Sequence, residues 1–332
     1  MKQIKEISVI IASYNPKVEI LGQLLNSLLK QTHSIHEIII VDDGSDKPIQ
    51  FVEERVKIIR LSENFGPAYA RNIGVNNVKT EYTAFIDSDC IPKQNWIELL
   101  FNKFDTNLYS GISGPYGNVP KDHTLLMKLE NTFFKSLQLS REQTYNYATT
   151  ANWITKTDYI RKAGLFKVYQ SGITRFNNYF NEDGELATSI ISLTNKPILW
   201  SPSVTVEHHI SERLSTLVKK QAQLVRGILL SNSQKGSKDS SFPTLRKKIL
   251  ATLPLISYVL LFVSGASFIY TFIILTVLTN ISFHKSNLKV LPASIMFHAL
   301  IIHLWVVVGL STVTEILLIR YIFKIDPVYK KD

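Results

Sequence analysis

Residues 7–87 alternate between short apolar runs and segments with the spacing of an amphipathic helix. The apolar runs, which predict buried strands, are ISVIIASYN, EIIIVDDGSD, RVKIIRL and YTAFID. Between them VEILGQLLNSLLKQ and GPAYARNIGVNNV predict helices, the first with Leu21, Leu24, Leu25, Leu28 and Leu29 on one face. Strands that alternate with helices form a mostly parallel sheet with helices on its faces, so the chain is predicted to be α/β.

The patterns between residues 100 and 210 are weaker. GISGPYGNVP is expected to be rich in turns, and LLMKLENTFFKSLQ to be helical. NEDGELATSIISL is expected to begin a helix, because acidic side chains are favoured at the positive N-terminal end. PILWSPSVTVEHHI predicts a strand that leads into a turn, and SERLSTLVKKQAQLVRGILL an amphipathic helix.

Polar residues stand where three of the predicted strands end. They are Tyr14-Asn15, Asp42-Asp43, and the pair Asp87 and Asp89. In open α/β sheets the ligand lies outside the carboxyl ends of the strands. The sequence therefore predicts a binding site on this rim of the sheet.

Two acids one residue apart at the end of an apolar strand repel each other and lose solvation. A bound Mg²⁺ or Mn²⁺ would remove that repulsion, and these ions prefer carboxylate and phosphate oxygens. Asp87 and Asp89 are therefore candidate ligands of a divalent cation, with a solvated turn as the alternative reading. A carboxylate in VDDGSD could accept a hydrogen bond from a base or a ribose, although Asp-Gly also forms turns unaided.

The charge is unevenly distributed along the chain, whose net charge is +10. Residues 219–248 contain eight Lys or Arg residues and one acid, and an apolar segment follows directly. Basic runs attract nucleic acid or anionic lipid. The adjoining apolar segment and the lack of interleaved aromatic residues favour membrane lipid, and no nucleic-acid partner is expected. The single cysteine, Cys90, excludes an intramolecular disulfide and is expected to be structural.

Two apolar runs predict a membrane region. Residues 249–283 contain no charged side chain, residues 290–319 contain only Glu315, and a bilayer core needs about 20 helical residues. Basic flanks before the first run and after the second favour two crossings with both flanks in the cytoplasm. A break at Ser264-Gly265 would give three crossings and export the C-terminus. The predicted organisation is a domain at 1–230, a basic linker at 231–248, a membrane region at 249–323 and a cytoplasmic tail at 324–332.

The ordered segments SVIIASYNP, IIIVDDGSD, ENFGPAYARNIGV, YTAFIDSDCIP and NEDGEL resemble the family 2 glycosyltransferases, which have the GT-A fold. The resemblance covers about residues 6–230. It implies a nucleotide-diphospho-sugar donor over the strand ends, with Tyr14 packed on the base and Asp43 bound to the base or ribose. It places Arg71 near the nucleotide, and Asp87 and Asp89 at the metal, with Asp89 the closer ligand.

On the acceptor side the resemblance assigns NEDGEL. Asp183 would be the general base that takes a proton from the acceptor hydroxyl, and Glu182 would face the acceptor. Repulsion from Glu182 and Glu185 would raise the pKa of Asp183. A capped helix start is the alternative reading.

Two further elements of the family are matched in part. Gln223 and Arg226 in QLVRG match a Gln-x-x-Arg-Trp element that grips the donor diphosphate, but Gly227 replaces the tryptophan and leaves the acceptor contact in doubt. Arg226 could instead face lipid. His208 and His209 follow an apolar strand, and either could complete the metal shell, with a surface or capping role as the alternative.

The sequence is thus expected to encode an inverting, membrane-bound glycosyltransferase with its catalytic domain in the cytoplasm. The membrane region indicates a lipid-linked glycan or glycolipid acceptor in envelope or exopolysaccharide synthesis. A polyprenyl-phosphate sugar synthase is the alternative, and a processive polymer synthase is disfavoured by the few predicted membrane helices. A non-catalytic, membrane-anchored scaffold that binds sugar nucleotides is a further alternative. The sugar, the nucleobase and the oligomeric state are left open.

Overall fold

The structure is a computed structural model that describes residues 6–117, 141–171, 182–209 and 328–330. All described residues up to His209 belong to one compact unit. The helices predicted within 125–138 and 211–230, the linker and both apolar runs lie outside the described residues. Among the helices that the structure describes, none has the length and apolar character to cross a membrane.

The N-terminal half follows the predicted alternation of strands and helices. The strands are β1 (Ile7–Ser13), β2 (Glu37–Asp42), β3 (Val56–Arg60), β4 (Tyr82–Phe85) and β5 (Cys90–Pro92). The helices are α1 (Val18–Leu29), α2 (Pro67–Asn77) and α3 (Trp96–Lys103). Strand β4 ends two residues before Asp87, so the two acids lie on a loop.

The second half contains shorter elements. Its strands are β6 (Gly111–Ser113), β7 (Gln143–Tyr145), β8 (Trp153–Lys156), β9 (Tyr169–Ser171), β10 (Ile198–Trp200), β11 (Val206–His208) and β12 (Val328–Lys330). Its helices are α4 (Thr157–Lys162) and α5 (Glu182–Thr194). The predicted helix at NEDGELATSIISL is confirmed as α5.

Eight strands form the main sheet in the order β3-β2-β1-β4-β8-β6-β10-β7. Strands β1 to β4 are mutually parallel, as predicted, and β8 joins antiparallel to both β4 and β6. Strand β10 is parallel to β6 and antiparallel to β7. The mostly parallel half therefore carries the predicted rim, while the other half is mixed.

Two expectations for the second half are corrected. GISGPYGNVP was expected to be rich in turns, but Gly111–Ser113 is an inner strand of the main sheet. A Cβ at Gly111 would lie 2.8 Å from the Ile154 carbonyl oxygen, so the small residue lets two strands approach. PILWSPSVTVEHHI contains two strands rather than one, and the second, β11, pairs with β5 outside the main sheet.

Both faces of the main sheet are buried at its inner strands. Alternate residues of β1 belong to different clusters, with Ile7, Val9 and Ile11 against α1 and Ile10 against α2. The leucine stripe of α1 is confirmed, since Leu21, Leu24, Leu25 and Leu28 are buried. Burial on both faces explains why the strands read as continuous apolar runs.

Candidate active site

The first two strand ends are joined at the rim. The register pairs Ser13 of β1 with Asp42 of β2, so the loops that follow leave the sheet side by side. Asn15 donates from its backbone N–H to Ser45 Oγ at 2.9 Å. Its side chain donates to the Asp46 carboxylate and accepts the Asp46 backbone N–H. Asn15 has φ +48°, a conformation that asparagine tolerates better than most residues. Tyr14, the predicted base-stacking residue, is 49% exposed on this rim.

The two acids of VDDGSD have separate environments. Asp42 is fully buried and accepts hydrogen bonds from the backbone of Ser45 and Ile49 and from Arg60. Burial raises the pKa of Asp42, but these hydrogen bonds outweigh it and leave the pKa below its ordinary value. Asp42 thus anchors the loop, a role that was not predicted from the sequence.

Asp43, the predicted base or ribose ligand, connects β2 to the start of α2. Its carboxylate accepts the backbone N–H groups of Phe65 at 2.8 Å and Gly66 at 2.9 Å. Burial raises the pKa of Asp43 despite these hydrogen bonds. The structure therefore shows Asp43 ordering the loop ahead of α2, and its contact with a nucleotide stays a prediction.

Arg71 of α2 links two parts of the rim that are distant in sequence. Its Nη1 donates to Glu182 Oε1 at 2.7 Å, and its Nη2 donates to Asp87 Oδ1 at 3.1 Å. The guanidinium also lies over the Phe166 ring, 5.8 Å from its centroid. Burial lowers the pKa of Arg71, but Asp87, Glu182 and Asp183 together raise it above its ordinary value.

The Arg71 contacts change the interpretation of three predicted site residues. Arg71 pairs with protein carboxylates, so any contact with the donor would be additional and stays a prediction. Glu182, predicted to face the acceptor, is buried and holds Arg71. Asp87 forms an ion pair with Arg71, and the positive charge of Arg71 offsets part of the repulsion between Asp87 and Asp89.

Asp183 is half-buried at the start of α5 and lies beside these charges. Its Oδ1 accepts the Gly184 backbone N–H at 2.8 Å, and Tyr147 Oη lies 3.3 and 3.4 Å from its two oxygens. Burial and then the Glu182 charge raise the pKa of Asp183 to about 7, against the opposing effect of Arg71. Repulsion from Glu182 was expected, whereas the larger effect of burial was not.

Asp89 lies against the paired strands β5 and β11. Its Oδ2 is 3.4 Å from His208 Nε2, and its Oδ1 is 4.0 Å from Cys90 Sγ. The ligand atoms of Asp89, Cys90 and His208 all lie within 4.8 Å of one another. Tyr116 packs edge-on against the His208 ring at 5.6 Å between centroids, which limits the orientations of the imidazole.

His208 and His209 have different surroundings. His208 faces Asp89, whereas the contact between His209 and Asp89 is from the His209 backbone N–H to the Asp89 carbonyl. Burial lowers the pKa of His209, and its Nε2 is buried without a hydrogen-bond partner. Of the two predicted metal ligands, His208 is therefore the one whose side chain lies beside Asp89.

Donor atoms of Asp89 and His208 on this rim fit a divalent cation, and the position of Asp87 at the ion stays a prediction. The Asp87 and Asp89 side chains are 35% and 40% exposed, so their oxygens are open to an ion and to a phosphate. His208 adds a nitrogen at a distance suited to a shared ion. Gln223 and Arg226, the predicted diphosphate-binding pair, lie outside the described residues.

Three features of the site were not predicted from the sequence: Tyr116, Tyr147 and the position of Cys90. The pKa of Tyr116 and that of Tyr147 are raised, first by burial and then by the charge of Asp183, so both phenols lie near the candidate base. The only signal for Cys90 was its place directly after Asp89. Tyr116 and Tyr147 gave no comparable signal, because long-range folding brings them to the site.

The family model described as Glycosyl transferase family 2 matches residues 8–164. These residues contain β1 to β8 and the rim that carries Asp43, Asp87 and Asp89. This part of the chain is therefore similar to family 2 glycosyltransferase domains, and its α/β fold is GT-A-like.

Similar proteins include two named glycosyltransferases. Glycosyltransferase GlyG of Streptococcus pneumoniae serotype 4 (strain ATCC BAA-334 / TIGR4) is 34% identical over 119 residues, which are 34% of this chain and 39% of the relative. Glycosyltransferase AglE of Haloferax volcanii is 28% identical over 174 residues, which are 48% of this chain and 55% of the relative. The matched regions thus span about 39% and 55% of these relatives.

Among solved structures, the mannosyltransferase PcManGT from Pyrobaculum calidifontis, in complex with GDP-Man and Mn²⁺, superposes with a TM-score of 0.52. The superposition covers 96% of this chain and 88% of that one at 12% sequence identity. This similarity supports the fold alone.

Proposed function

We propose that the chain is a divalent-cation-dependent, inverting glycosyltransferase that moves a sugar from a nucleotide-diphospho-sugar to an acceptor hydroxyl. The observation that carries the proposal is the position of Asp183. This carboxylate is half-buried, its pKa is raised to about 7, and it lies near Asp87 on the rim of the sheet. A base with a pKa near the working pH transfers protons efficiently. The match to the family 2 model supports the reaction class.

In the proposed reaction the acceptor oxygen attacks the anomeric carbon while Asp183 takes its proton. The bond between that carbon and the diphosphate oxygen breaks, and the nucleoside diphosphate leaves with the bonding electrons. A single displacement inverts the anomeric centre. Tyr147 and the Gly184 N–H orient the Asp183 carboxylate, because both contact its oxygens.

Asp87, Asp89 and His208 would hold a Mg²⁺ or Mn²⁺ ion, and Tyr14 and Asp43 would contact the nucleoside. When bound, the cation supplies positive charge against the charge that develops on the diphosphate. Arg71 keeps Asp87 and Glu182 in place while the ligands bind. Gln223 and Arg226 would bind the diphosphate, as the family resemblance implies.

For the acceptor we propose a lipid-linked glycan or a glycolipid at the cytoplasmic face of a cell membrane, in envelope or exopolysaccharide synthesis. The uncharged run 249–283, the apolar run 290–319 and the basic stretch at 219–248 support a multi-pass protein with an anionic lipid surface nearby. A polyprenyl-phosphate sugar synthase would also use a lipid acceptor, but it would add one sugar directly to the lipid phosphate.

The test compares wild type with Asp183→Asn in membranes supplied with labelled sugar nucleotides. We expect Asp183→Asn to lose transfer by about 10²-fold or more while it still binds donor and metal. Asp158→Asn, at an exposed position of α4, is the matched control and should transfer at the wild-type rate. Undiminished transfer by folded Asp183→Asn would refute its role as the base.

The product identifies the acceptor class. Label in an organic-extractable product with more than one sugar supports the lipid-linked glycan, and an acid-labile product with a single sugar indicates the synthase. Label only in water-soluble product would refute a lipid acceptor. Donor binding without transfer to any acceptor fraction would favour the non-catalytic scaffold.

A further inference from the structure

The antiparallel pair β5–β11 brings a thiol and an imidazole to one face. The register places His208 opposite Cys90, and directly opposed residues of an antiparallel pair point to the same side. Asp89 immediately precedes Cys90, and its carboxylate reaches both side chains. Sulfur, nitrogen and oxygen donors therefore meet at one point of the rim.

The separations fit the coordination sphere of a zinc-type ion. Tetrahedral bonds of about 2.0 Å to nitrogen and oxygen place those two atoms about 3.3 Å apart, and a bond of about 2.3 Å to sulfur places sulfur about 3.5 Å from oxygen. His208 Nε2 lies 3.4 Å from Asp89 Oδ2, and Cys90 Sγ lies 4.0 Å from the other oxygen, Asp89 Oδ1. One ligand atom of each residue lies within 4.8 Å of the other two, so the thiol would move closer to the carboxylate and the imidazole when an ion binds.

The ligand types distinguish this set from an oxygen-only site. Thiolate and imidazole select Zn²⁺ and similar ions, whereas carboxylate and water suit Mg²⁺ and Mn²⁺. Access is open from the Asp89 side, because the Asp89 side chain is 40% exposed and that of His208 13% exposed. Cys90 itself is fully buried, so an ion would reach its sulfur from that side.

We propose that Asp89, Cys90 and His208 form a binding site for thiophilic divalent cations such as Zn²⁺ and Co²⁺. Binding forms a metal–sulfur bond and releases the thiol proton to solvent. The site shares Asp89 and His208 with the oxygen-rich site proposed for Mg²⁺ or Mn²⁺, so the two kinds of ion exclude each other. A zinc ion bound here would use Asp89 as a ligand, so Asp89 could no longer hold the ion that binds the phosphates.

The single cysteine allows a direct test by spectroscopy. The full chain, purified in detergent with any affinity tag removed, is titrated with Co²⁺ in the absence of donor. We expect a near-ultraviolet sulfur-to-cobalt charge-transfer band that saturates and that Zn²⁺ abolishes. Any such band must come from Cys90, whereas histidine and carboxylate ligation alone would give none.

Two variants and one control separate the ligands. Cys90→Ser should lose the band, and His208→Gln should weaken cobalt binding by about tenfold or more, since even outer-shell changes cost 10–100-fold. His36→Gln, at an exposed position, should bind cobalt as wild type does. Circular dichroism checks that each variant is folded.

A measurement on wild type covers the case in which Cys90→Ser fails to fold. X-ray absorption at the zinc edge should show sulfur at about 2.3 Å from the ion. Cobalt binding without a charge-transfer band, no binding, or a zinc shell of only nitrogen and oxygen would each overturn the proposal. None of these results requires sugar transfer, so a chain that transfers sugar with Mn²⁺ but gives no sulfur signal refutes this inference alone.

Discussion

At the scale of single residues, Arg71 joins two carboxylates of the candidate site that are distant in sequence. It is buried and pairs with Glu182, which is also buried, and with the partly exposed Asp87. Replacing one partner of a buried pair is costly because the other charge stays buried without compensation. Arg71 therefore stabilises the fold as well as the rim.

Arg71→Met tests this role. We expect the free energy of unfolding to fall by about 3–5 kcal/mol, because Glu182 would keep a buried charge without its cation. Denaturant unfolding in detergent measures the change. Lys162→Met removes a cation from an exposed pair with Asp158 and should leave stability unchanged. Equal stability of the two variants would contradict the proposed role of Arg71.

Tyr147→Phe tests how the Asp183 carboxylate is oriented. The phenol contacts stabilise the ionised form of Asp183, so their loss should raise the pKa of Asp183. We expect the acid limb of kcat/KM against pH to move up by about half a unit, with rates at high pH close to wild type. Tyr145→Phe, at the neighbouring exposed tyrosine, is the control and should not move the limb. An unchanged limb in Tyr147→Phe would show that the contact has no effect on the base.

How far the site could be predicted depends on where each residue stands. Asp43 and Asp87 follow parallel strands, and parallel strands deliver their ends to one rim, so sequence pattern alone placed them together. Asp183 was assigned as the base from the family resemblance of NEDGEL, whereas the pattern of acids alone predicted only a helix start. The Arg71 ion pairs, Tyr147 and the Cys90–His208 pairing depend on contacts between distant segments, which no local pattern encodes.

At the scale of elements, a single buried amide joins the second half of the sheet to the loops of the site. Asn152 is fully buried, and its Oδ1 accepts the Trp96 indole N–H at 2.9 Å. Its Nδ2 donates to the carbonyls of Pro115 at 3.0 Å and Val204 at 2.7 Å. These carbonyls belong to the segments that lead to Tyr116 and to β11, so Asn152 helps to position Tyr116 and the strand that carries His208.

Asn152→Ala should reduce the free energy of unfolding by about 2–4 kcal/mol, because three buried polar groups lose their partner. It should also weaken cobalt binding if the His208 segment shifts. Asn107→Ala, at an exposed position, is the matched control and should match wild type in both measurements. Wild-type stability of Asn152→Ala would contradict the importance assigned to this network.

The elements also show where sequence reasoning fails for a physical reason. Strands β1, β2 and β4 are buried on both faces and read as apolar runs, so they were predicted within a few residues. Strand β6 contains glycine and serine, because it lies where β8 and the loop at Ser201 approach closely. The neighbouring strands stabilise its conformation more than its own residues do. The Gly-Pro pair in GISGPYGNVP is typical of turns, and the segment was therefore predicted to be rich in turns.

At the scale of the whole molecule, Asp183 couples stability to pH. The folded chain holds the Asp183 proton up to about pH 7, whereas the unfolded chain loses it near the ordinary value of 3.8. Between these values the folded state binds more protons, so the free energy of unfolding falls as pH rises. Above about pH 7 the loss is complete and constant.

Asp183→Asn should remove this pH dependence. We expect the variant and wild type to be equally stable near pH 4 and the variant to be more stable by about 1–3 kcal/mol at pH 8. Thermal unfolding at both pH values measures the difference, which isolates Asp183 from Asp43, whose pKa is also raised. A variant less stable than wild type at pH 8 would show that the ionised Asp183 does not destabilise the folded state.

The ion pairs of Arg71 with Asp87 and Glu182, here called the Arg71 junction, limit how such a chain can change over evolutionary time. Arg71, Asp87 and Glu182 come from three segments that are far apart in sequence, yet a substitution at one of them alters the charge balance of the other two. Mutation of one position alone is therefore selected against unless the others follow. An alignment of homologues should show these three positions kept together or replaced together, and independent drift among them would indicate that the junction is dispensable.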